Sequence, residues 1–210
     1  MIIDPRETEP VNVYKLMIGS ILPRPIAFVS TRGLDGINNL APFSFFTGVS
    51  ANPPVIGFSP MVNLQSRRRD SRINAEARGE FCVNVVSESF AAQMNQTAVD
   101  VPPEVDEFEL AGLTPIACDL IDAPRVAESH VAMECKLLQV VDISQAVMGG
   151  AFVMGEVIRF HIDDALFDNY RIDPAQLDAV GRMAGNSYTR TRDRFDLVRP
   201  VIEGQPRIER

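Results

Sequence analysis

Histidine, cysteine and basic runs are scarce in this 210-residue chain, and each scarcity removes a class of function. Two histidines, His130 and His161, are too few and too scattered for a metal cluster. Three cysteines, Cys82, Cys118 and Cys135, form no Cys-x-x-Cys and leave an odd count. A secreted disulfide framework is therefore not expected; three buried, reduced thiols are. The net charge of −8 and the absence of a long basic run argue against nucleic acid or an anionic membrane as partner. The one basic cluster, Arg67-Arg68-Arg69, is long enough for a single small phosphate only. The N-terminus MIIDPRETEP carries no signal pattern, and no apolar run approaches membrane-spanning length. These absences point to a soluble, cytoplasmic protein. Catalytic templates are missing too. There is no Gly-x-Ser-x-Gly elbow, no Gly-x-Gly-x-x-Gly and no P-loop, and no acid, base or nucleophile stands out as catalytic.

What is present is core material. Apolar residues make up 46% and charged residues 23%, enough for one domain over residues 1–210, with a core from 10 to 190 and an arginine-rich tail from 190 to 210. Residues 1–21 open on Pro5 and Pro10 and read as an extended arm with one helical turn. In Arg24 to Thr31, Ile26, Phe28 and Ser30 share one strand face, and Ala27, Val29 and Thr31 the other. Gly33, Asp35 and Gly36 make a turn. Asn39 to Ser50 reads as a second strand made irregular by Pro42, and Asn52-Pro53-Pro54 as an extended loop before the strand Val55 to Ser59. Asp70 or Ser71 as N-cap and Gly79 past the end bracket a short helix. Glu80 to Val86 alternates as a strand, and Ser87 to Thr97 suits another short helix. The acidic run from Asp100 to Glu109 reads as a solvated loop leading into a helical turn. Val131 to Val141 and Ala151 to Ile162 are long alternating strands that pair antiparallel. About seven strands separated only by short helices fit an antiparallel barrel, closed or nearly so, better than a βαβ fold.

The stretch from Leu22 to Ser59 interleaves small or amide-bearing polar groups with aromatic residues. Its polar set includes Arg24, Ser30, Thr31, Asn39 and Ser44; Ile26, Phe28, Phe43, Phe45 and Phe46 lie among them. That mixture suits a flat, polar-edged, anionic ligand. Arg69-Asp70-Ser71 at a helix start has two readings. It is either a plain N-cap with solvated arginines or a phosphate site built from free N–H groups, the helix dipole, a guanidinium and a hydroxyl.

Several blocks, in order, resemble the flavin reductase-like family, the FMN-binding split β-barrels that include flavoredoxin. They are PRPIAFVST, NLAPFSFFTGVSANPP, RRRDSRIN at the place of the family's Lys-Asp-Thr-x-x-Asn, GEFCVNVVSE, DEFELAGLTP, the strand GxxxVMGEVIRFHIDD, and VGRMAGNSY at the place of Gly-Arg-x-Gly-Gly-x-x-Tyr. The resemblance implies a mainly β (α+β) fold, an antiparallel split β-barrel with short flanking helices, assembled as a homodimer. It implies FMN, with FAD as the alternative, bound with its phosphate at Arg69, Asp70 and Ser71. The ring would lie along Asn39, Ala41, Pro42, Phe43 and Ser44, with Arg24, Ser30 and Thr31 in the same pocket and Arg182 and Tyr188 reaching in from a late loop, across the dimer. Ser71 keeps the hydroxyl of the family's commoner Thr, and Ala184 replaces the first Gly of a Gly-Gly pair. The activity implied is hydride transfer from NAD(P)H to flavin, with electrons passed to a monooxygenase or another acceptor. The alternative is a flavoredoxin-like electron carrier without efficient NAD(P)H turnover.

Overall fold

The computed structural model describes residues 1–198 and 200. Its centre is one antiparallel sheet of seven strands: β1 (Ala27–Arg32), β2 (Asn38–Phe43), β3 (Phe46–Ala51), β4 (Pro54–Phe58), β5 (Glu80–Val85), β6 (Val131–Asp142) and β7 (Ala151–Ile162). The order across the sheet is β2-β1-β5-β6-β7-β4-β3. The two edge strands, β2 and β3, are consecutive in the chain with only Ser44 and Phe45 between them. The sheet therefore has to curl until its edges meet at that corner. No ladder joins β2 to β3 among the described residues, so the barrel is split rather than closed.

The alternation of β1 feeds two cores. Ala27 and Val29 point inward to Phe43, Phe58, Phe81, Val83, Met133, Val153 and Val157. Phe28 points outward to Leu40, Val86, Phe90, Met94 and Phe108. The inner core is led by three aromatic rings in contact, Phe43 tilted against Phe58 at 5.0 Å and Phe58 edge-on to Phe81 at 5.3 Å between centroids. Helices α3 (Ala91–Gln96) and α4 (Glu107–Ala111) cover the outer core with Met94, Phe108 and Ala111, and α2 (Asp70–Arg78) packs Ala75 into the inner one; α1 (Pro10–Ser20), which buries no residue, and α5 (Pro174–Leu177) are the other short helices labelled here. A late hairpin, β8 (Val180–Arg182) and β9 (Tyr188–Arg190), lies beside them. Among the described residues no helix is long and apolar enough to cross a membrane.

Four expectations need correction. Residues 10–20 form a three-turn helix, because Pro10 sits at its first position, where a missing N–H costs nothing. Pro42 does not disrupt its strand, because β2 is an edge strand paired only to β1; the break falls at Ser44-Phe45. Asn52-Pro53 is the two-residue turn of the β3–β4 hairpin, in which Ala51 opposes Pro54. The N-cap of α2 is Arg69, so Asp70 and Ser71 are its first two helical residues. Gly79 closes that helix at φ 70°, as expected of a left-handed cap.

The arginine-rich tail reads from its sequence as either lying across another surface or partly disordered, and its start is anchored by an arginine. Arg192 pairs with Asp178 at 2.7 Å and with Glu88 at 2.5 Å. The remainder of that expectation, residue 199 and residues 201–210, lies outside the described residues.

The inner core leaves no room at Gly155 of β7, where a Cβ would overlap the Phe81 ring and crowd Cys135. Gly155→Ala should destabilise the protein by about 2 kcal/mol through overpacking, read as a lower denaturant midpoint with an unchanged slope.

Candidate functional site

A cleft of about 690 Å³ opens where the split of the barrel meets α2 and α4. One wall is the exposed edge of β2 and the corner after it: Asn39, Ala41, Pro42, Phe43, Ser44 and Phe45. Arg67, Arg68 and Arg69 lead into the opposite end, where Asp70 and Ser71 open α2. In that first turn the Arg69 carbonyl accepts from the Arg72 and Ile73 N–H groups at 3.0 and 3.2 Å. The N–H groups of Asp70 and Ser71 have no protein acceptor among the described residues. Arg67 Nη2 donates to Asp70 Oδ1 at 2.5 Å, and Arg69 pairs with Asp100. Burial lowers the pKa of Arg69, so its guanidinium gains from an anionic partner.

The middle of the cleft is a hydrogen-bond knot centred on the buried Asn39 side chain. Its Oδ1 accepts from Ser71 Oγ at 2.7 Å and from Thr31 Oγ1 at 3.3 Å. Its Nδ2 donates to Glu107 Oε1 at 2.8 Å, and Glu107 Oε2 accepts from the Leu40 N–H at 3.0 Å. One amide thus joins β1, β2, α2 and α4. The carboxylate of Glu107 satisfies a strand-edge N–H that would otherwise face the cleft. Glu107 is 5% exposed, and burial raises its pKa to about 7, opposed by the bonds from Leu40 and Asn39.

The other end is aromatic. Tyr14 of α1 meets Phe45 edge-on at 6.4 Å, and both line the cleft. Beyond them lies a second, adjoining compartment of about 540 Å³ between α1 and the β6–β7 connection. It shares Tyr14, Phe45, Ser59 and Met61 with the first cleft and has no charged residue in its lining.

Of the residues expected in the site, Asn39, Ala41, Pro42, Phe43, Ser44, Arg69, Asp70 and Ser71 come together around this cleft. Five do not line it. Ser30 pairs with Leu40 on the opposite face of the sheet, and its Oγ donates to the Pro124 carbonyl at 2.5 Å. Thr31 is on the cleft side but fully buried behind Asn39 and Asn74. Arg24 is buried beneath Ser44, to which its Nε donates at 3.2 Å. Arg182 stacks on the Tyr188 ring at 4.5 Å, and the Tyr188 hydroxyl donates to Asn95 Oδ1 at 2.9 Å, outside the cleft of their own chain.

Sequence reasoning missed Glu107 and Tyr14. The available signal for Glu107 was Asp106, which caps α4 by accepting from the Phe108 N–H at 2.8 Å and so places Glu107 in a packed turn rather than a solvated loop. Both histidines have acidic partners. His161 Nε2 lies 2.5 Å from Glu134 Oε1, and the Glu134 carboxylate also accepts from the Asp119 and Leu120 N–H groups at 2.8 Å each. His130 pairs with Asp163 at 2.7 Å. All three cysteines are free; Cys82 and Cys135 are buried, and Cys118 is half-buried.

Residues 18–197 match the family described as flavin reductase like domain, and the chain belongs to that family. Nitrilotriacetate monooxygenase component B from Bacillus cereus is 38% identical, with a TM-score of 0.89 over 94% of this chain and 98% of that one. The Pseudomonas fluorescens 2-nitrobenzoate 2-nitroreductase NbaA is 30% identical, with a TM-score of 0.85 over 95% and 96% of the two chains. A Shewanella frigidimarina NCIMB 400 protein described as having a split barrel domain is 24% identical, with a TM-score of 0.81 over 95% and 100%, a likeness that bears on the fold alone. The fold is the mainly β split barrel that the sequence implied.

Ionising Glu107 costs stability in the folded state. Its contribution is full below the unfolded-state value near 4.5 and is lost as the pH rises through about 7. Relative to pH 4.5, the wild type should lose roughly 3 kcal/mol more than Glu107→Gln by pH 8, measured by urea unfolding across the range.

Proposed function

We propose that the chain, as a single domain, binds FMN in this cleft, with FAD as the alternative. It then works as a flavin reductase-type oxidoreductase that takes a hydride from NAD(P)H and passes the electrons to an acceptor. The observation that carries the reading is the joining, within one cleft, of an arginine-flanked helix start and a wall of small and aromatic residues. The first favours a phosphate; the second favours a flat ring.

The roles of the chain's residues follow from their chemistry. Arg67, Arg68 and Arg69 offer guanidinium donors to a phosphate, and the free N–H groups of Asp70 and Ser71 lie at the positive end of the α2 dipole. Asn39, locked by Ser71 and Glu107, keeps the cleft wall in one arrangement before any ligand arrives. The open edge of β2 gives backbone donors and acceptors to the polar rim of the ring, and Phe43, Phe45 and Tyr14 exclude water from it. Bound flavin supplies the hydride-accepting chemistry, which is why no acid, base or nucleophile of the protein is required.

The adjoining uncharged compartment offers room for the flat part of a second substrate against the same aromatic wall. A homodimer belongs to this reading. Arg182 and Tyr188, outside their own cleft, would then serve the partner's. The likeness to the Bacillus cereus monooxygenase component supports a monooxygenase as the acceptor.

The phosphate end is tested by comparing FMN with riboflavin in fluorescence-quenching titrations. Arg69→Gln should weaken FMN binding about tenfold and leave riboflavin binding unchanged. Equal affinity of the wild type for the two ligands would contradict the phosphate assignment.

A further inference from the structure

We propose that Arg24, acting through the Ser44 hydroxyl, makes the cleft hold reduced flavin more tightly than oxidised flavin; this rests on the flavin reading above.

Arg24 is 2% exposed, yet no carboxylate pairs with it among the described residues. Its guanidinium is held by four neutral oxygens. Nη1 donates to the Ile18 and Ile21 carbonyls at 2.6 and 2.9 Å, Nη2 to the Met183 carbonyl at 2.9 Å, and Nε to Ser44 Oγ at 3.2 Å. The first two carbonyls belong to the C-terminal end of α1, whose dipole favours a cation there. Burial lowers the Arg24 pKa, with Tyr14 opposing and Arg182 adding to that shift. A buried cation held only by dipoles projects its field further than one neutralised by an acid.

Among the described residues Ser44 is the one side chain that accepts a hydrogen bond from Arg24, and it lines the cleft. The serine oxygen is engaged from behind by Arg24, and its hydroxyl hydrogen has no acceptor among the described residues. The free donor therefore serves whatever occupies the cleft, and the cation behind it strengthens it. A hydride transferred from reduced nicotinamide carries two electrons and one proton, so the nicotinamide becomes oxidised and the ring gains one unit of negative charge. A fixed donor backed by a cation is worth more to the ring after that change than before it. Arg24 and Ser44 would then act on reduction itself and not only on flavin retention. Arg24 is a positioning residue here, since it reaches the ring only through Ser44.

The test is a pair of anaerobic titrations, one with oxidised FMN and one with dithionite-reduced FMN, together with the midpoint potential of the bound flavin. Ser44→Ala should weaken reduced FMN about tenfold, leave oxidised FMN within about threefold, and move the potential negative. Ser44→Thr, which restores a hydroxyl, should recover most of the loss. Arg24→Gln removes both the charge and the fork. It should show the same selective loss provided its thermal unfolding stays cooperative, and the Ser44 pair decides the matter if it does not. Equal weakening of both redox states, or no change in either, would overturn the relay while leaving the flavin site standing. Failure of the wild type to bind FMN in either state would overturn both.

Discussion

Only Ser44 and Phe45 separate the two edge strands of a seven-stranded sheet, and much of the molecule follows from that short corner. Two residues cannot span an open sheet of this width, so the sheet must curl. Curling encloses the Phe43, Phe58 and Phe81 rings and makes Gly155 obligatory where β7 passes the Phe81 ring. It also brings an unpaired strand edge to the surface. In most sheets such an edge is a liability to be blunted. Here α2, α4 and the arginine segment stand around it, and the edge becomes the wall of a cleft.

That cleft is held by few groups, each in contact with several elements. Asn39 accepts from α2 and β1 and donates to α4, so one amide fixes three distances at once. Arg24 does the same from behind, joining the end of α1, the corner at Ser44 and the loop after β8. Its backbone also pairs with Arg182 in both directions, at 3.0 and 2.8 Å. Neither residue needs to touch a ligand to set the shape a ligand meets. The acid at the centre, Glu107, is costly to bury, and its raised pKa is the measure of that cost.

The long strands were legible because alternation is a local signal. Val131–Asp142 and Ala151–Ile162 are paired much as their pattern required. The helix at Pro10–Ser20 was not, for two reasons. Pro10, taken with Pro5 as part of an extended arm, is a helix starter, and no residue of the helix is buried, so core packing does not reveal its length. Ser30 shows what strand parity decides. It shares a face with Phe28, as its spacing required, and that face looks away from the cleft. Eight of the residues that line the cleft were legible as short motifs in order, since each lies on β2, its corner or the start of α2. Glu107 was hidden, because an acidic run looks solvated until the fold turns one member inward. Arg24 was legible as important, but its reach through Ser44 is a fact of packing that no spacing encodes.

The account stands or falls on whether this cleft takes a flavin. The most direct measurement is the visible absorbance spectrum of the freshly purified protein, before and after adding FMN and removing the excess, with the chromophore released by heat and identified. The account predicts flavin bands that stay with the protein and release FMN. A colourless protein that retains neither FMN nor FAD would contradict it.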